Sequence, residues 1–357
     1  MGVDATLGGF GDVLFNSAAG VYVLAMLLHA VEHGLLRRPG ATPAEAVPAR
    51  SAVAVGAASD AASDTPTATG FDASDPDDLV PDRLAPSGAV PSSDGPASGE
   101  RSAAGGRPVS ERFGRTGVAL TVLGFGLHLA MLVVRGVAAG RAPWGNMYEF
   151  TAAVCLVAVG AWLVLLYRRP GLRRLGVFVL FPVVVLMFLG GTVLYTQTAP
   201  VVPALRSYWL AIHVSAAVVA SGILLVAGVA SVLYLVRSSH DSSGRMAWAG
   251  RLPGAATLDR VAYRATAVAF PIWTFAVIAG AIWAEAAWGR YWGWDPKETT
   301  AFVAWVVYAG YLHARSTAGW RGRKAATVNV VGFVVMVFNL FVINIVVTGL
   351  HSYAGLG

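Results

Sequence analysis

Apolar residues in this chain gather into long runs separated by short polar stretches. Runs of roughly 18–25 residues fall at about 12–36, 116–138, 146–167, 175–195, 209–236, 264–285, 299–314 and 326–350, the seventh being the shortest. At about 1.5 Å of rise per helical residue, such a run crosses the roughly 30 Å hydrocarbon layer of a bilayer. The pattern predicts an all-α integral membrane protein with about eight transmembrane helices, the first of them a retained helix near the N-terminus.

One stretch breaks the pattern. Residues 38–114 are rich in Ala, Ser, Pro, Gly and Asp and nearly without aromatic side chains. Such a segment buries too little apolar surface to offset its chain entropy, so it is expected to be a disordered linker. Three parts follow: a first transmembrane helix (1–37), the linker (38–114) and a seven-helix membrane domain (115–357).

Composition agrees with the pattern. Charged residues make up 13% and hydrophobic residues 56% of the chain, with a mean hydropathy of +0.61. Soluble domains carry about 25% charged residues. The net charge of +6 reflects basic loops on one side of a bilayer, not nucleic-acid binding. Of the 26 Arg and Lys, 21 lie in the segments 37–115, 168–174, 237–264 and 315–324, and the opposite loops hold only Arg141, Arg206, Arg290 and Lys297. By the positive-inside rule the first set is cytoplasmic. The linker is then cytoplasmic, and both termini lie outside, which agrees with an even number of spans. The only cysteine, Cys155, excludes an internal disulfide. Without C-x-x-C the chain has no thiol–disulfide chemistry of its own, and without C-x-x-C-H it is not itself a c-type cytochrome.

The candidate chemistry lies in the outer loop 283–298, which reads Trp283-Ala-Glu-Ala-Ala-Trp288-Gly-Arg290-Tyr291-Trp292-Gly-Trp294-Asp295-Pro296-Lys297-Glu298. Four Trp and one Tyr within twelve residues form either an interfacial aromatic belt or a shelf for a flat apolar ligand. Asp295, Pro296 and Glu298 fit the N-cap, N1 and N3 positions of a helix start, a role that does not call for Lys297. Two histidines lie at the depth of this loop: His213, one turn into the fifth helix, and His351, just after the eighth. They are either ordinary interfacial residues or a pair of ligands, and imidazole is a normal axial ligand of haem iron. His313 lies about 20 Å below the outer start of the seventh helix, where an ionisable group is a functional candidate. His29, His33 and His128 are expected to hydrogen-bond inside the bundle. Arg290 and Lys297 flank the tryptophans, with Arg206 and Arg141 nearby, so these cations can meet carboxylates such as haem propionates or lipid headgroups.

The segment from Trp288 to Glu298 resembles the tryptophan-rich WWD signature of the haem-handling proteins of cytochrome c biogenesis. Within that superfamily residues 115–357 are most similar to the CcsA (ResC) type, labelled CcsB in some actinobacteria. His213 in Trp-Leu-Ala-Ile-His-Val matches the histidine before the signature. His313 in Tyr-Leu-His-Ala-Arg matches that of the following helix, and His351 in His-Ser-Tyr-Ala-Gly matches the terminal motif. The motif departs from the expected His-Ser-Tyr-Gly by its alanine, and the linker matches no known pattern.

The resemblance implies a multi-pass protein of the bacterial plasma membrane with the WWD loop on the outer face. It implies haem b as substrate, a CcsB/ResB-type membrane partner, and an apocytochrome c bearing C-x-x-C-H as client. His213 and His351 would be axial ligands of an outer haem, and His313 one ligand of a haem within the membrane. Trp288, Trp292, Trp294, Asp295, Arg290 and Lys297 would complete the binding surface. The pair would act as a cytochrome c synthase, in which this chain supplies positioning and no general acid or base. Two other functions use parts of the same pattern: a bis-His b-type cytochrome, and a solute transporter in which Pro182 and Pro271 kink helices.

Overall fold

The computed structural model describes residues 5–35, 109–199, 207–317, 319–347 and 349–351. Most of the expected linker, 38–108, lies outside these residues. So do Arg206, both termini, and Ser352 and Tyr353 of the terminal motif.

Eight long helices form the described part: α1 (Ala5–Leu35), α2 (Val109–Ala139), α3 (Met147–Arg168), α4 (Gly176–Thr192), α5 (Tyr208–Ser243), α6 (Ala255–Trp288), α7 (Pro296–Ser316) and α8 (Arg323–Ile345). Short 3₁₀ turns precede α4 and α6. Seven of the eight, all but α7, are long and apolar enough to cross a membrane. Helix α7 has 21 residues and carries Lys297 and Glu298 at one end and His313 and Arg315 at the other. Helix α2 begins at Val109, before the boundary that hydropathy alone sets at 115, because its first turns are polar.

Helices α1 and α2 pack antiparallel on a column of small residues. Gly117 lies under His29 and Gly124 under Tyr22, and a Cβ added there would come within 3.1 Å and 2.8 Å of those rings. Small residues let helices approach closely where lipid provides no hydrophobic drive to associate. Buried polar side chains cluster in this interface. Buried His128 lies 3.5 Å from the Tyr22 hydroxyl, and buried His29 lies 3.5 Å from Glu32. Glu32 in turn accepts from Arg173 Nε at 2.6 Å. At the opposite end of α2, Arg135 is wholly buried and donates to Asp12 of α1 at 3.0 Å.

Three apolar cores lie among the described residues, the smallest where the two 3₁₀ turns meet α5 and α6 around Leu172, Leu233 and Leu258. Of the other two, the first joins α1 to α5 around Tyr22, Met131, Trp162 and Leu180. The second joins α5 to α8 around Ala220, Leu224, Trp273, Tyr308 and Met336. The functional candidates gather above the second core, at the end of the bundle where α6 passes to α7.

Candidate functional site

The turn from α6 to α7 is built by its own backbone needs. Helix α6 stops at Gly289, whose φ of +71° is cheap only for glycine and whose N–H caps Glu285 at 2.8 Å. Helix α7 starts in a complete capping box. Asp295 accepts from the Lys297 N–H at 3.0 Å, and Glu298 Oε2 accepts from the Asp295 N–H at 3.1 Å. Glu298 also receives the Gly293 N–H at 2.9 Å, so one carboxylate gathers the loop. Trp294 adopts φ +57°, which costs an L-residue roughly 1–2 kcal/mol, and the capping contacts offset it.

Asp295 does more than start the helix. Its Oδ2 accepts the Leu350 N–H at 2.8 Å, and its Oδ1 lies 3.0 Å from His351 Nδ1. A Cβ at Gly349 would stand 2.7 Å from Oδ2, so the chain beyond α8 approaches this carboxylate through a glycine. Burial works to raise the Asp295 pKa. The His351 hydrogen bond, with the Leu350 and Lys297 N–H groups, outweighs it and holds the carboxyl at about 2.

His213 is fixed in a similar way from the other side. Its Nδ1 lies 2.8 Å from the Ala276 carbonyl of α6. Only an N–H can meet a carbonyl, so the proton resides on Nδ1 and the lone pair on Nε2. The imidazole reaches α6 because residue 280 is glycine, where a Cβ would come within 2.7 Å of the ring. Trp283 is the shared neighbour of both histidines. It lies nearly parallel to His213, with centroids 6.1 Å apart, and edge-on to His351 at 5.9 Å. Trp288 adds edge contacts to Trp283 at 4.7 Å and to His351 at 5.2 Å.

These groups line one cavity with about 1230 Å³ of atom-free space, continuous with the exterior. Its lining is mainly apolar and aromatic, as ligand pockets commonly are. Of the residues singled out from the sequence, His213, His351, Trp288, Trp292 and Lys297 line it. Lys297 Nζ donates to Asn344 of α8 at 2.6 Å. Asp295 stands behind the wall and orients it. Trp294 is 65% exposed and packs edge-on against Trp292 and Phe302, away from the lining. Arg290 pairs with Glu298 at 3.5 Å.

His313 is not brought to this cavity; it stands exposed near the far end of α7. Nor is it joined by His128, which is buried between α1 and α2. Among the wall residues that were not read from the sequence are Trp144, Trp273 and Asn344. Trp144 adjoins the Asn146 N-cap of α3, a helix-start signal that marks the turn but not its direction. Trp273 and Asn344 sit inside apolar runs and carry no local sign.

Comparison with known proteins places this cavity within one family. The family described as "Cytochrome C assembly protein" matches residues 144–351, the same limits, Trp144 and His351, that bound the cavity lining. Several similar proteins bear the name cytochrome c biogenesis protein CcsA. That of Synechococcus sp. (strain CC9902) is 37% identical over 258 residues, covering 64% of this chain and 83% of that protein. That of Microcystis aeruginosa is 33% identical over 299 residues, covering 69% and 88%. That of Chlamydomonas reinhardtii is 36% identical over 238 residues, covering 64% of this chain and 65% of the algal protein, just under two thirds of its length.

Proposed function

The chain belongs to the cytochrome c assembly protein family, and from that premise we propose that its cavity holds haem and presents it for covalent attachment to apocytochrome c. The protein is a multi-pass membrane protein with a role in cytochrome c biogenesis. The observation that carries the finer reading is the pair of oriented imidazoles. His213 and His351 each commit Nδ1 to an oxygen, of Ala276 and of Asp295, at 2.8 and 3.0 Å. In this reading Nε2 would be the ring nitrogen that meets iron, with Nδ1 held by an outer partner as in metal-binding histidines. Their shared contact with Trp283 and the apolar, aromatic lining suit a porphyrin, and Lys297 on the wall suits a propionate.

In this reading His213 and His351 are the two axial ligands. Trp283, Trp288 and Trp292 exclude water and hold the ring. Two cysteine thiols of the client's C-x-x-C-H add across the two haem vinyl groups, each S–H hydrogen passing to a vinyl carbon as the C–S bond forms. The client's own histidine then replaces one of the two imidazoles. The chain contributes position and ligation, and no side chain in the wall is assigned as an acid or base.

His313 has a separate role. An imidazole exposed on a helix of a membrane protein calls for a partner, and a CcsB/ResB-type protein supplying a second ligand answers it. The charge asymmetry, 21 of 26 basic residues on one side, supports placing the cavity on the outer face of the plasma membrane.

The test is a deletion strain complemented with wild type or His213→Ala. Loss of holocytochrome c with membrane b-haem otherwise intact is expected for the deletion and the variant. Normal holocytochrome c in either would overturn the proposal. A b-type electron carrier would instead lose a respiratory activity with c-haem attachment unchanged.

A further inference from the structure

One stretch of the cavity wall comes neither from the histidine-bearing helices nor from the tryptophan-rich loop. It is the turn between α2 and α3, and a single carboxylate holds it. Glu149, in the first turn of α3, is wholly buried. It accepts the Gly145 N–H at 2.9 Å, Arg141 Nη1 at 2.7 Å and Nη2 at 3.3 Å, and Arg135 Nε and Nη2 each at 3.4 Å. Its own N–H returns to Asn146 Oδ1 at 2.9 Å. Arg141 is held further by the carbonyls of Ala142 at 3.0 Å and Ala199 at 3.1 Å. The turn is thus tied to Glu149 from both of its sides.

Trp144, Gly145, Asn146 and Met147 of this turn line the cavity. Trp144 Nε1 is buried with no hydrogen-bond partner among the described residues. A buried indole N–H ordinarily finds an acceptor. An orphaned donor in a residue that lines a cavity is open to pairing with an acceptor on the molecule that fills it once the wall adjusts around that molecule.

We propose that Glu149 is a positioning residue for the cavity: it sets the 140–147 turn so that the Trp144 indole N–H meets an acceptor on the edge of the bound porphyrin. This inference rests on the reading of the cavity as a haem site. A purely structural role for Glu149 is the competing account, because Arg135 also ties Asp12 at 3.0 Å and the Thr196 carbonyl at 2.8 Å. The two accounts differ in whether the effect of Glu149 passes through Trp144.

The experiment titrates haem into the purified full chain by absorption. The variants are Trp144→Phe, which keeps the ring and removes the N–H, Glu149→Gln, the double variant, and Asp12→Asn. Trp144→Phe is expected to weaken haem binding about tenfold, the value of one hydrogen bond, and Glu149→Gln at least as much. The double variant is expected to be no weaker than Glu149→Gln alone, since both changes remove one contact. Asp12→Asn removes the charge from the other arm of Arg135 and is expected to lower the melting temperature with haem affinity unchanged. Wild-type affinity in Trp144→Phe or in Glu149→Gln, or losses that multiply in the double variant, would overturn the inference. Should Glu149→Gln fail to insert, Arg141→Gln makes the same test, because it loosens the turn while Arg135 still pairs Glu149. A wild-type chain that binds no haem, or binds it as well as His213→Ala does, would instead remove the haem-site reading beneath it.

Discussion

Oδ1 of Asp295 lies 3.0 Å from Nδ1 of His351, so the residue that starts α7 also aims the histidine that follows α8. The contact spans 56 positions of sequence. It couples the tryptophan-rich loop to a candidate ligand, and it gives the aspartate two tasks at once.

Replacing Asp295 therefore should cost more than a helix cap. Loss of a capping side chain costs about 1 kcal/mol, while loss of an outer partner of a metal-binding histidine lowers metal affinity about 10–100-fold. Asp295→Ala is expected to show both effects, and Asp295→Asn, whose amide oxygen can still accept from His351, mainly a smaller loss of affinity. Thermal unfolding and haem titration on the same preparations check this. Unchanged haem affinity in Asp295→Ala would sever the link between loop and ligand.

The three histidines should separate. His213→Ala and His351→Ala are expected to lose the absorption of the outer haem and regain part of it when free imidazole is added. His313→Ala should leave the outer cavity able to take haem supplied to the purified chain. Its effect should appear only in cells, where haem must first be delivered. Equal behaviour of all three variants toward added haem would show that the assignment of two sites is wrong.

Gly280 offers a test that touches no ligand atom. A Cβ there would stand 2.7 Å from the His213 ring. Gly280→Ala is expected to push the imidazole off the Ala276 carbonyl and lower haem affinity severalfold while the protein still inserts, measured by the same titration. Full affinity would mean that the imidazole tolerates displacement.

The tryptophans should divide as well. Trp292 lines the cavity, whereas Trp294 is 65% exposed beside it. Trp292→Ala is expected to speed haem loss from the purified protein. Trp294→Ala should keep haem and instead lower holocytochrome c yield in cells, as a surface residue that meets a client does. A faster haem loss in Trp294→Ala would return that side chain to the wall.

The membrane orientation has its own check. A reporter active only in the cytoplasm, fused after Gly357, is expected to be silent, since the basic residues gather in the segments assigned to the opposite side. Activity of that fusion would reverse the topology.

Much of this protein is local chemistry and so could be read from the chain itself. The length of each apolar run sets helix and membrane, the capping residues set the start of α7, and the order of the WWD segment and three histidines marks the family. The seventh run was legible as a helix, although its charged ends leave it the least apolar of the eight. What the tertiary structure decided depends on how the helices rotate and slide against one another, which one-dimensional spacing does not encode. That register gives His213 a backbone carbonyl as its partner, an acceptor every residue has and no motif can flag. It also brings Trp144 and Trp273, far apart in the chain, to one wall. Asp295 shows both levels in one residue: its capping role follows from its neighbours in sequence, and its hold on His351 exists only because α7 and α8 bring their ends together.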